Sequence, residues 1–583
     1  MLTTLTKDLW KRSARVALAV ILALGVCGRD AQADAPRNEE NVALLTDSAL
    51  QRARAALERA RGDACKEEEQ AFQYYCIAAE QGDAVAIRRL GDCYYYGRGV
   101  ELDETLACQL YSRAAELGDV DATLELVGRY YLGFDVEKNE VKAFDMSLRA
   151  AEAGRARGIG VLGMFRLQGI GIEKNEKEGI ELLTLALKLG HREAGEALAR
   201  CYASGSGVER DDEKAFEILS RLDLKDELLD FGELWRDGDD SCPQNPAMAF
   251  RCFERSATLG GQEAREELIK CYLEGYGVEK DETKANRWKK IAECWELGNK
   301  YFYGRDCEKN GELACAFYEE AAKLGDLGAA RELADVYYCG EVVEKNKTKA
   351  LEILLRAAKQ GDSVACDLIL TRNWSENDED WSLEKDAWLR QELASFGDAR
   401  ATCELADRYF YGLGVPECKT LAFELYLKAE GLGSGKATER LVYCYGDGLG
   451  VKQDKEKAYK KACESGAPRA LAYCCASGCG VERSEEKAFE ICDKMKDKAT
   501  WNWLGNLCRD GDLGVPQNPT FAVRCYKEAA ALGDYEACFE LAKRYREGDG
   551  VKKDEAKGAC WERIGNELQR LEANANLSVS QIW

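Results

Sequence analysis

The chain has 583 residues, of which 46% are hydrophobic and 32% are charged, the composition of a chain that folds around a core. Its formal net charge is -23, and it has no run of Lys and Arg that could follow a phosphate backbone. The sequence therefore argues against nucleic acid as a partner. The acidic surface has two interpretations, ordinary solubility or selection of basic ligands.

Residues 1–33 have the order of a signal peptide. Basic residues precede an apolar run at 16–26, which is too short to span a bilayer, and small residues follow up to Ala33. We expect export to the periplasm or the cell exterior. Lipidation at Cys27 and an uncleaved anchor are the alternatives, so any membrane contact would come from this segment or that lipid.

Cysteine is abundant, with 26 residues, which favours an oxidising compartment. Metal binding is the competing explanation. Tetrahedral zinc sites use closely spaced Cys and His, whereas this chain has no Cys-x-x-Cys and its one histidine is His191, at a turn that we expect to face solvent. The sequence predicts neither a metal nor a cofactor.

A glycine-containing dipeptide, most often Gly-Asp, returns every 36 residues in two series, at 82, 118, 154 and 190 and at 325, 361, 397 and 433. In one copy Ala86, Leu90 and Tyr94 share a face of a first helix, which the Gly-x-Gly-Val at 97–100 ends. A second helix follows, with Leu106, Leu110, Ala114 and Ala115 as its apolar stripe. Neither helix is stable alone, so the units must stack.

The recurring pattern is Ala, then Leu-Gly, then Tyr-x-x-Gly-x-Gly-Val, then Lys-Ala, and finally Ala-Ala-x-x-Gly-Asp. Over residues 65–560 it resembles the Sel-1-like repeat family, relatives of the tetratricopeptide repeats. The resemblance implies an all-α fold, a right-handed α-solenoid of about 14 antiparallel helix-turn-helix repeats. It also implies a binding scaffold.

These patterns divide the chain into six segments. They are a signal peptide at 1–33, a capping helical pair at 41–82 with helices at 41–61 and 67–80, repeats at 83–370, a degenerate Trp-rich repeat at 371–398, repeats at 399–560, and a C-terminal capping helix and tail at 561–583.

A longer duplication lies above the short repeat. Residues 201–288 align without a gap on 474–561, and 46 of the 88 aligned positions are identical. Pro-Gln-Asn-Pro at 243–246 recurs at 516–519, which the repeat pattern does not require. The duplication either lengthens the solenoid or presents one surface twice for bivalent recognition.

The pattern breaks after Thr371, where Trp374, Trp381 and Trp388 are spaced seven residues apart. These tryptophans are either anchors for a partner or large side chains that refill the core of a decayed repeat.

First helices usually line the concave side of such solenoids, so residues beside the inward stripe can reach a ligand. The candidates mix charge with one aromatic residue per helix, which suits a protein or peptide partner. They are Arg89, Asp92, Tyr95, Glu332, Asp335, Tyr338, Glu404, Asp407 and Phe410, together with Trp374 and Trp381.

Enzymatic chemistry is the weaker hypothesis, because one histidine removes most acid-base mechanisms. Similarity to the cysteine-rich Sel-1-like proteins implies β-lactam binding or hydrolysis, and Ser-x-x-Lys occurs at 382–385 and 484–487. The Ser-Asp-Asn and Lys-Thr-Gly elements of a serine β-lactamase are absent from the sequence. We therefore expect a scaffold, with a periplasmic β-lactam-binding enzyme or a secreted host-directed effector as alternatives.

The same resemblance implies a disulfide in every repeat, yet here the cysteines shift between helix positions. Antiparallel helices around the glycine turn would bring Cys93 near Cys108, Cys508 near Cys525 and Cys444 near Cys463. The alternative is that many cysteines are small apolar core residues.

Overall fold

A computed structural model describes residues 48–239, 242–372, 374, 382–465 and 467–582, with side chains up to residue 573. Its regular structure consists of 29 helices without a strand within these ranges, which confirms the all-α prediction. The signal segment and Cys27 lie outside the described residues.

The chain forms two units, one of Met1–Ile159, Ile170–Ile172 and Lys455–Trp583, and one of Gly160–Gly169 and Glu173–Asp454. The helices up to the middle of the chain are α1 (Ser48–Asp63), α2 (Glu68–Glu80), α3 (Ala84–Tyr96), α4 (Glu104–Glu116), α5 (Val120–Leu132), α6 (Glu140–Glu152), α7 (Ala156–Gln168), α8 (Glu176–Lys188), α9 (Arg192–Ser204), α10 (Asp212–Arg221), α11 (Lys225–Asp237), α12 (Pro246–Thr258), α13 (Gln262–Glu274), α14 (Glu282–Tyr303) and α15 (Gly311–Lys323).

The remaining helices are α16 (Leu327–Cys339), α17 (Lys347–Lys359), α18 (Ser363–Thr371), α19 (Leu383–Ser395), α20 (Ala399–Tyr411), α21 (Lys419–Gly431), α22 (Gly435–Asp447), α23 (Lys455–Ser465), α24 (Pro468–Ser477), α25 (Glu485–Met495), α26 (Lys498–Asp510), α27 (Pro519–Ala531), α28 (Tyr535–Glu547) and α29 (Glu555–Ile582). None of the described helices is long and apolar enough to cross a membrane.

The first helix of each repeat is set by its two ends. In α3 the Asp83 carboxylate accepts a hydrogen bond from the Ala86 amide at 2.8 Å, and Gly97 ends the helix in a left-handed conformation. Between these ends Leu90 and Tyr94 are buried with Ala86, as the sequence predicts.

The core stripe of the second helix differs in part from the prediction. In α4 the buried residues include Leu110 and Ala114, but also Tyr111, while Leu106 and Ala115 are only partly buried. Tyr111 is buried because its ring packs on Gly91 of α3, where an added Cβ would lie 2.7 Å from Tyr111 Cε1. The glycine of the Leu-Gly pair therefore leaves room for an aromatic ring of the second helix.

The second glycine of Gly-x-Gly has a different role, which is contact between repeats. Gly99 has a φ of +66°, and an added Cβ would overlap the carbonyl oxygen of Glu68 at the start of α2. Gly277 lies in the same way against the Pro246 carbonyl at the start of α12. Glycine therefore allows each turn to pack on the second helix of the preceding repeat.

Within the first unit, the N-terminal helix packs on the C-terminal helices. Helix α1 contacts α27 and α29, with Leu50 only 1% exposed. Arg52 Nη1 lies 2.8 Å from Glu528 Oε2, and Arg59 donates to the Leu532 carbonyl at 3.0 Å. Helices α1 and α2 lie where the sequence predicts an N-terminal helical pair, and α1 packs on the C-terminal helices of this unit.

Candidate functional site

Two of the predicted surface residues hold their own repeat together. Asp92 Oδ1 accepts a hydrogen bond from the Tyr111 hydroxyl at 2.9 Å, and Asp407 Oδ1 accepts one from Tyr426 at 2.7 Å. Burial, followed by the adjacent carboxylate, raises the pKa of both tyrosines, which keeps their hydroxyls protonated as donors. These aspartates link the first helix to the second.

The side chain of Arg89 is 42% exposed, and its Nε lies 3.4 Å from Asp63 Oδ1. Tyr95 is half-buried, with the Arg129 guanidinium 4.3 Å from its ring centroid. Of this pair, Arg89 is the one more accessible to a partner.

On α16, Glu332 is exposed, whereas its two predicted companions contact Arg372. Asp335 Oδ1 lies 2.5 Å from Arg372 Nη1, and the Tyr338 ring centroid lies 4.8 Å from Arg372 Cζ. On α20, Glu404 Oε2 lies 2.9 Å from Arg390 Nε. Phe410 lies against Tyr411 in an edge-to-face pair. Among the predicted charged residues of α16 and α20, Glu332 is therefore the most exposed.

Sequence reasoning missed three exposed tyrosines, each one position beyond an aromatic residue of the same helix. Tyr96, Tyr303 and Tyr411 end α3, α14 and α20, and they are 59%, 52% and 54% exposed. Each makes an edge-to-face pair with the preceding ring. The signal was in the sequence, because this position always stands directly before the glycine that ends the helix.

Trp374 lies in the core. It is 7% exposed, its Nε1 donates to the Ile369 carbonyl at 2.7 Å, and its ring packs edge-to-face on Tyr338. This burial favours the interpretation in which the tryptophan refills a decayed repeat. Trp381 lies outside the described residues, and Trp388 is 49% exposed.

Ion pairs at the junctions between repeats are a second feature that the sequence did not reveal. Arg88 lies 3.2 Å from Asp119, and Arg331 lies 2.6 Å from Asp362, in each case joining a first helix to the capping aspartate of the next. Burial raises the pKa of Asp119 despite the capping hydrogen bond and the arginine. The Gly-Asp dipeptide thus caps a helix and anchors the preceding repeat.

The most buried junction joins Arg265 of α13 to Asp326, which caps α16. The atoms Arg265 Nη2 and Asp326 Oδ2 are 2.5 Å apart, and the side chains are 1% and 0% exposed. The Arg265 guanidinium also lies 4.9 Å from the Trp295 ring centroid. Burial raises the pKa of Asp326, and Arg265 is the largest opposing influence.

The 25 described cysteines are free thiols in the structure, and the predicted bridges stay predictions. Burial is the main cause of the raised pKa of the Cys525 thiol, and the neighbouring Cys508 and Cys492 raise it further. Burial, Glu80 and Cys93, in decreasing order, raise the pKa of Cys76 to about 12.

The other predicted cysteines have different neighbours. The Cys108 sulfur accepts from Arg129 Nη1 at 3.5 Å. Burial raises the pKa of Cys444 to about 12, with Arg440 and Asp447 as its charged neighbours. Cys463 lies near Cys474, whose pKa is raised first by a hydrogen bond with Cys479 and then by burial. Burial accounts for most of these shifts, as expected for cysteines in a core.

The serines of the two Ser-x-x-Lys segments act as helix caps. Ser382 Oγ accepts from the Lys385 amide at 3.3 Å, and Ser484 Oγ accepts from the Lys487 amide at 3.2 Å. His191 does not face solvent as expected, because its side chain is 14% exposed and lies against Gly160. Within the described ranges there is no group of three His, Cys, Asp or Glu residues placed to hold a metal.

Taken together, stacked helix pairs, capped turns and junction ion pairs define a helical-repeat protein. The Sel1 repeat family model matches fourteen segments, and the chain belongs to this family, whose fold is a scaffold for protein–protein interaction. The matched segments are 59–83, 84–119, 125–154, 161–191, 196–221, 232–261, 270–292, 294–326, 328–362, 399–434, 435–466, 469–497, 502–534 and 536–561. They leave out residues 363–398, the segment that contains the tryptophan-rich break.

The chain is similar to several solved structures, of which two are described. One is a protective antigen with an SLR fold from uropathogenic Escherichia coli, at 23% identity and a TM-score of 0.32, with 82% of this chain and 97% of that chain covered. The other is a Sel1 repeat protein from Oxalobacter formigenes, at 25% identity and a TM-score of 0.28, with coverages of 53% and 96%. No curated protein matches the chain significantly.

Proposed function

We propose that this protein is an exported scaffold that binds a protein or peptide through the first helices of its repeats. The observation that supports the proposal most directly is the recurrence of exposed Tyr96, Tyr303 and Tyr411 at equivalent positions. Tyrosine is enriched among the residues that contribute most to binding at interfaces, and none of these rings is needed to fill the core. Arg89 on α3 and Glu332 on α16 add exposed charge to the first helices.

Export rests on the signal-like order of residues 1–33 and on the cysteine content. Mass spectrometry of the intact protein from an envelope fraction, before and after reduction, tests it. Loss of the first 33 residues is the expected result. A chain that keeps residues 1–33, or that carries a lipid at Cys27, would contradict cleavage at Ala33.

The binding proposal is tested by capture of partners from envelope and secreted fractions at physiological salt. The full chain is compared with a variant that carries Tyr96→Ser, Tyr303→Ser and Tyr411→Ser. Because these side chains are exposed, we expect the variant to keep its helical content and to lose the captured proteins.

A matched control replaces three exposed apolar residues of second helices, through Val141→Ser, Leu313→Ser and Leu427→Ser. These are 59%, 40% and 39% exposed. The control should capture the same partners as the native chain. Equal capture by the native chain and the tyrosine variant, or capture of nothing by the native chain, would refute the first-helix surface as the binding site.

A further inference from the structure

The second unit contains a basic cavity in an otherwise acidic protein. Its volume is about 500 Å³, within the usual range of ligand sites, ~300–1,000 Å³. Four cationic side chains and one carboxylate line it, together with three aromatic rings and three further residues. The lining residues are Phe216, Arg251, Glu254, Arg255, Thr258, Tyr272, Lys284, Arg287, Trp288, Gly325 and Gln360.

The neighbours of the cations hold them in place without using all their donors. Arg251 Cζ lies 4.2 Å from the Phe216 ring centroid, and its Nη1 lies 2.6 Å from Glu213. Arg255 contacts Asp223 and donates to the Gly361 carbonyl at 2.8 Å, both through Nη2. Since a guanidinium has five N–H groups, Arg255 keeps further donors for a ligand.

The duplicated block shows what the same surface holds elsewhere in this chain. With the offset of 273, Phe216, Arg251, Tyr272, Lys284 and Trp288 recur as Phe489, Arg524, Tyr545, Lys557 and Trp561. The local geometry recurs too, since Arg524 Cζ lies 3.7 Å from the Phe489 ring centroid and Arg524 pairs with Glu486 at 2.7 Å. The two surfaces are copies.

Four positions that line the cavity differ in the copy, and two of them contact α1. The other two are Glu254 and Thr258, which correspond to Lys527 and Ala531. Arg255 corresponds to Glu528, which pairs with Arg52 through two hydrogen bonds of 2.8 and 3.0 Å. Arg287 corresponds to Cys560, whose sulfur accepts from Arg54 at 3.4 Å. In the first unit a basic helix therefore lies beside Glu528 and Cys560, whereas the corresponding residues of the second unit are both arginines.

In the second unit the corresponding helix stops short. Arg331 of α16 donates to the Leu259 carbonyl at 2.9 Å, as Arg59 of α1 does to the corresponding Leu532 carbonyl at 3.0 Å. Arg52 precedes Arg59 by seven residues, about two helical turns, but α16 begins only four residues before Arg331. Where these turns would lie, Arg287 donates to the Leu324 carbonyl at 2.9 Å and Arg255 to the Gly361 carbonyl at 2.8 Å, so the turns after α15 and α17 border the cavity.

We propose that this cavity binds a short acidic helix of a partner protein, in the place that the first turns of α1 occupy on the copied surface. The partner's carboxylates would face Arg255 and Arg287, where α1 presents arginines to Glu528 and Cys560. Small and apolar residues of the partner would pack on Phe216 and Trp288. The site shares no residue with the first-helix surface, so each proposal stands or fails independently.

The test uses the full-length protein and two labelled peptides in fluorescence anisotropy at low salt. One peptide copies residues 48–63 with Arg52→Glu and Arg54→Glu, and the other has the native sequence. We expect the acidic peptide to bind at least about tenfold more tightly, and its affinity to fall as salt rises, because the contact is electrostatic.

Variants of the protein locate the site. Arg287→Ala and Arg251→Ala should each weaken binding of the acidic peptide at least about threefold to tenfold, while Arg524→Ala, the matched change on the copied surface, should leave it unchanged. The charge reversal Arg287→Glu should in addition favour the native peptide. Circular dichroism confirms that each variant keeps its helices.

Three outcomes would overturn the proposal. They are equal binding of the two peptides, no binding of the acidic peptide at low salt, and equal loss of binding in the Arg251→Ala and Arg524→Ala proteins. Loss of binding partners in the tyrosine variant described above, with the acidic peptide still bound, would separate this site from the first-helix surface.

Discussion

The buried pair of Arg265 and Asp326 allows a quantitative test of how the junctions hold neighbouring repeats. Replacing Arg265 by Met leaves the 0% exposed Asp326 carboxylate without its main partner, while the methionine fills much of the space. Removing one member of a buried ion pair costs ~3–5 kcal/mol, because the other charge stays buried and uncompensated. We expect a loss of this size near pH 8.

The loss should depend on pH with a defined sign. Burial raises the folded pKa of Asp326 above its unfolded value of ~3.9, and without Arg265 it should rise further. Ionisation then opposes folding above the folded pKa, and this cost disappears as the pH falls toward the unfolded pKa. Arg265→Met should therefore recover stability relative to the native chain between pH 8 and pH 5.

Asp326→Asn tests the same pair from the other side. Asparagine keeps the hydrogen bond to the Ala329 amide that caps α16, so the change removes the charge and little else. It leaves Arg265 charged at every accessible pH. Because the native chain gains stability as Asp326 is protonated, the cost of Asp326→Asn relative to the native chain should not diminish in acid. The double variant Arg265→Met/Asp326→Asn should lose less than either single variant.

Hydrogen exchange in α13 and α16 is the suitable assay, because arrays of repeats do not unfold as one two-state unit. The control is Lys323→Met, which breaks an exposed pair with Glu319 and should cost ~0–1 kcal/mol. Additive effects of the two single variants, or a loss in Arg265→Met that is the same at pH 5 and pH 8, would refute this account of the junction.

Three further expectations concern stability. Tyr111→Phe removes the hydrogen bond to Asp92 and should cost ~0.5–1.5 kcal/mol in hydrogen exchange of α3 and α4. A cost well above ~3 kcal/mol would show a larger role for the hydroxyl. Gly99→Ala should destabilise the protein more than Gly361→Ala. Both glycines have a positive φ, but only the Cβ added at Gly99 would overlap a backbone carbonyl. Equal melting temperatures of the two variants would contradict this. Leu50→Ala should cost ~2–5 kcal/mol, because Leu50 is only 1% exposed. Arg52→Ala should cost ~0–1 kcal/mol, because the Arg52 side chain is 48% exposed. The reverse order in hydrogen exchange of α1 would be incompatible with this packing.

The helices could be predicted because their signals are local. Aspartate before a helix, glycine after it and the stripe of Ala86, Leu90 and Tyr94 all act within one repeat. The packing of the Tyr111 ring on Gly91 could not be predicted, because it depends on how a side chain of one helix fits against the other helix. Docking of α1 on α27 and α29 was also missed, since its residues are more than 450 positions from their partners.

The candidate surface was found only in part, for a similar reason. The register separated inward from outward positions, but an outward carboxylate such as Asp92 or Asp407 is satisfied by a tyrosine of the second helix. Asp335 is satisfied by Arg372, which lies in the next pair. Periodicity does not reveal such partners, so it identified the helix face more reliably than the residues on it that remain accessible.

The duplicated block shows that two similar sequences can have the same fold and different neighbours. Two copies that share 46 of 88 residues fold in the same way, with the same arginine stacked on the same phenylalanine, yet they hold different neighbours. Two of the residues that differ, Arg255 and Arg287, correspond to Glu528 and Cys560, which contact α1, while Glu254 corresponds to Lys527. A basic helix such as α1 is stabilised beside Glu528 and would be repelled by Arg255. The charges at these positions and the later start of α16 thus distinguish the surface that holds α1 from the surface that we propose to bind an acidic helix.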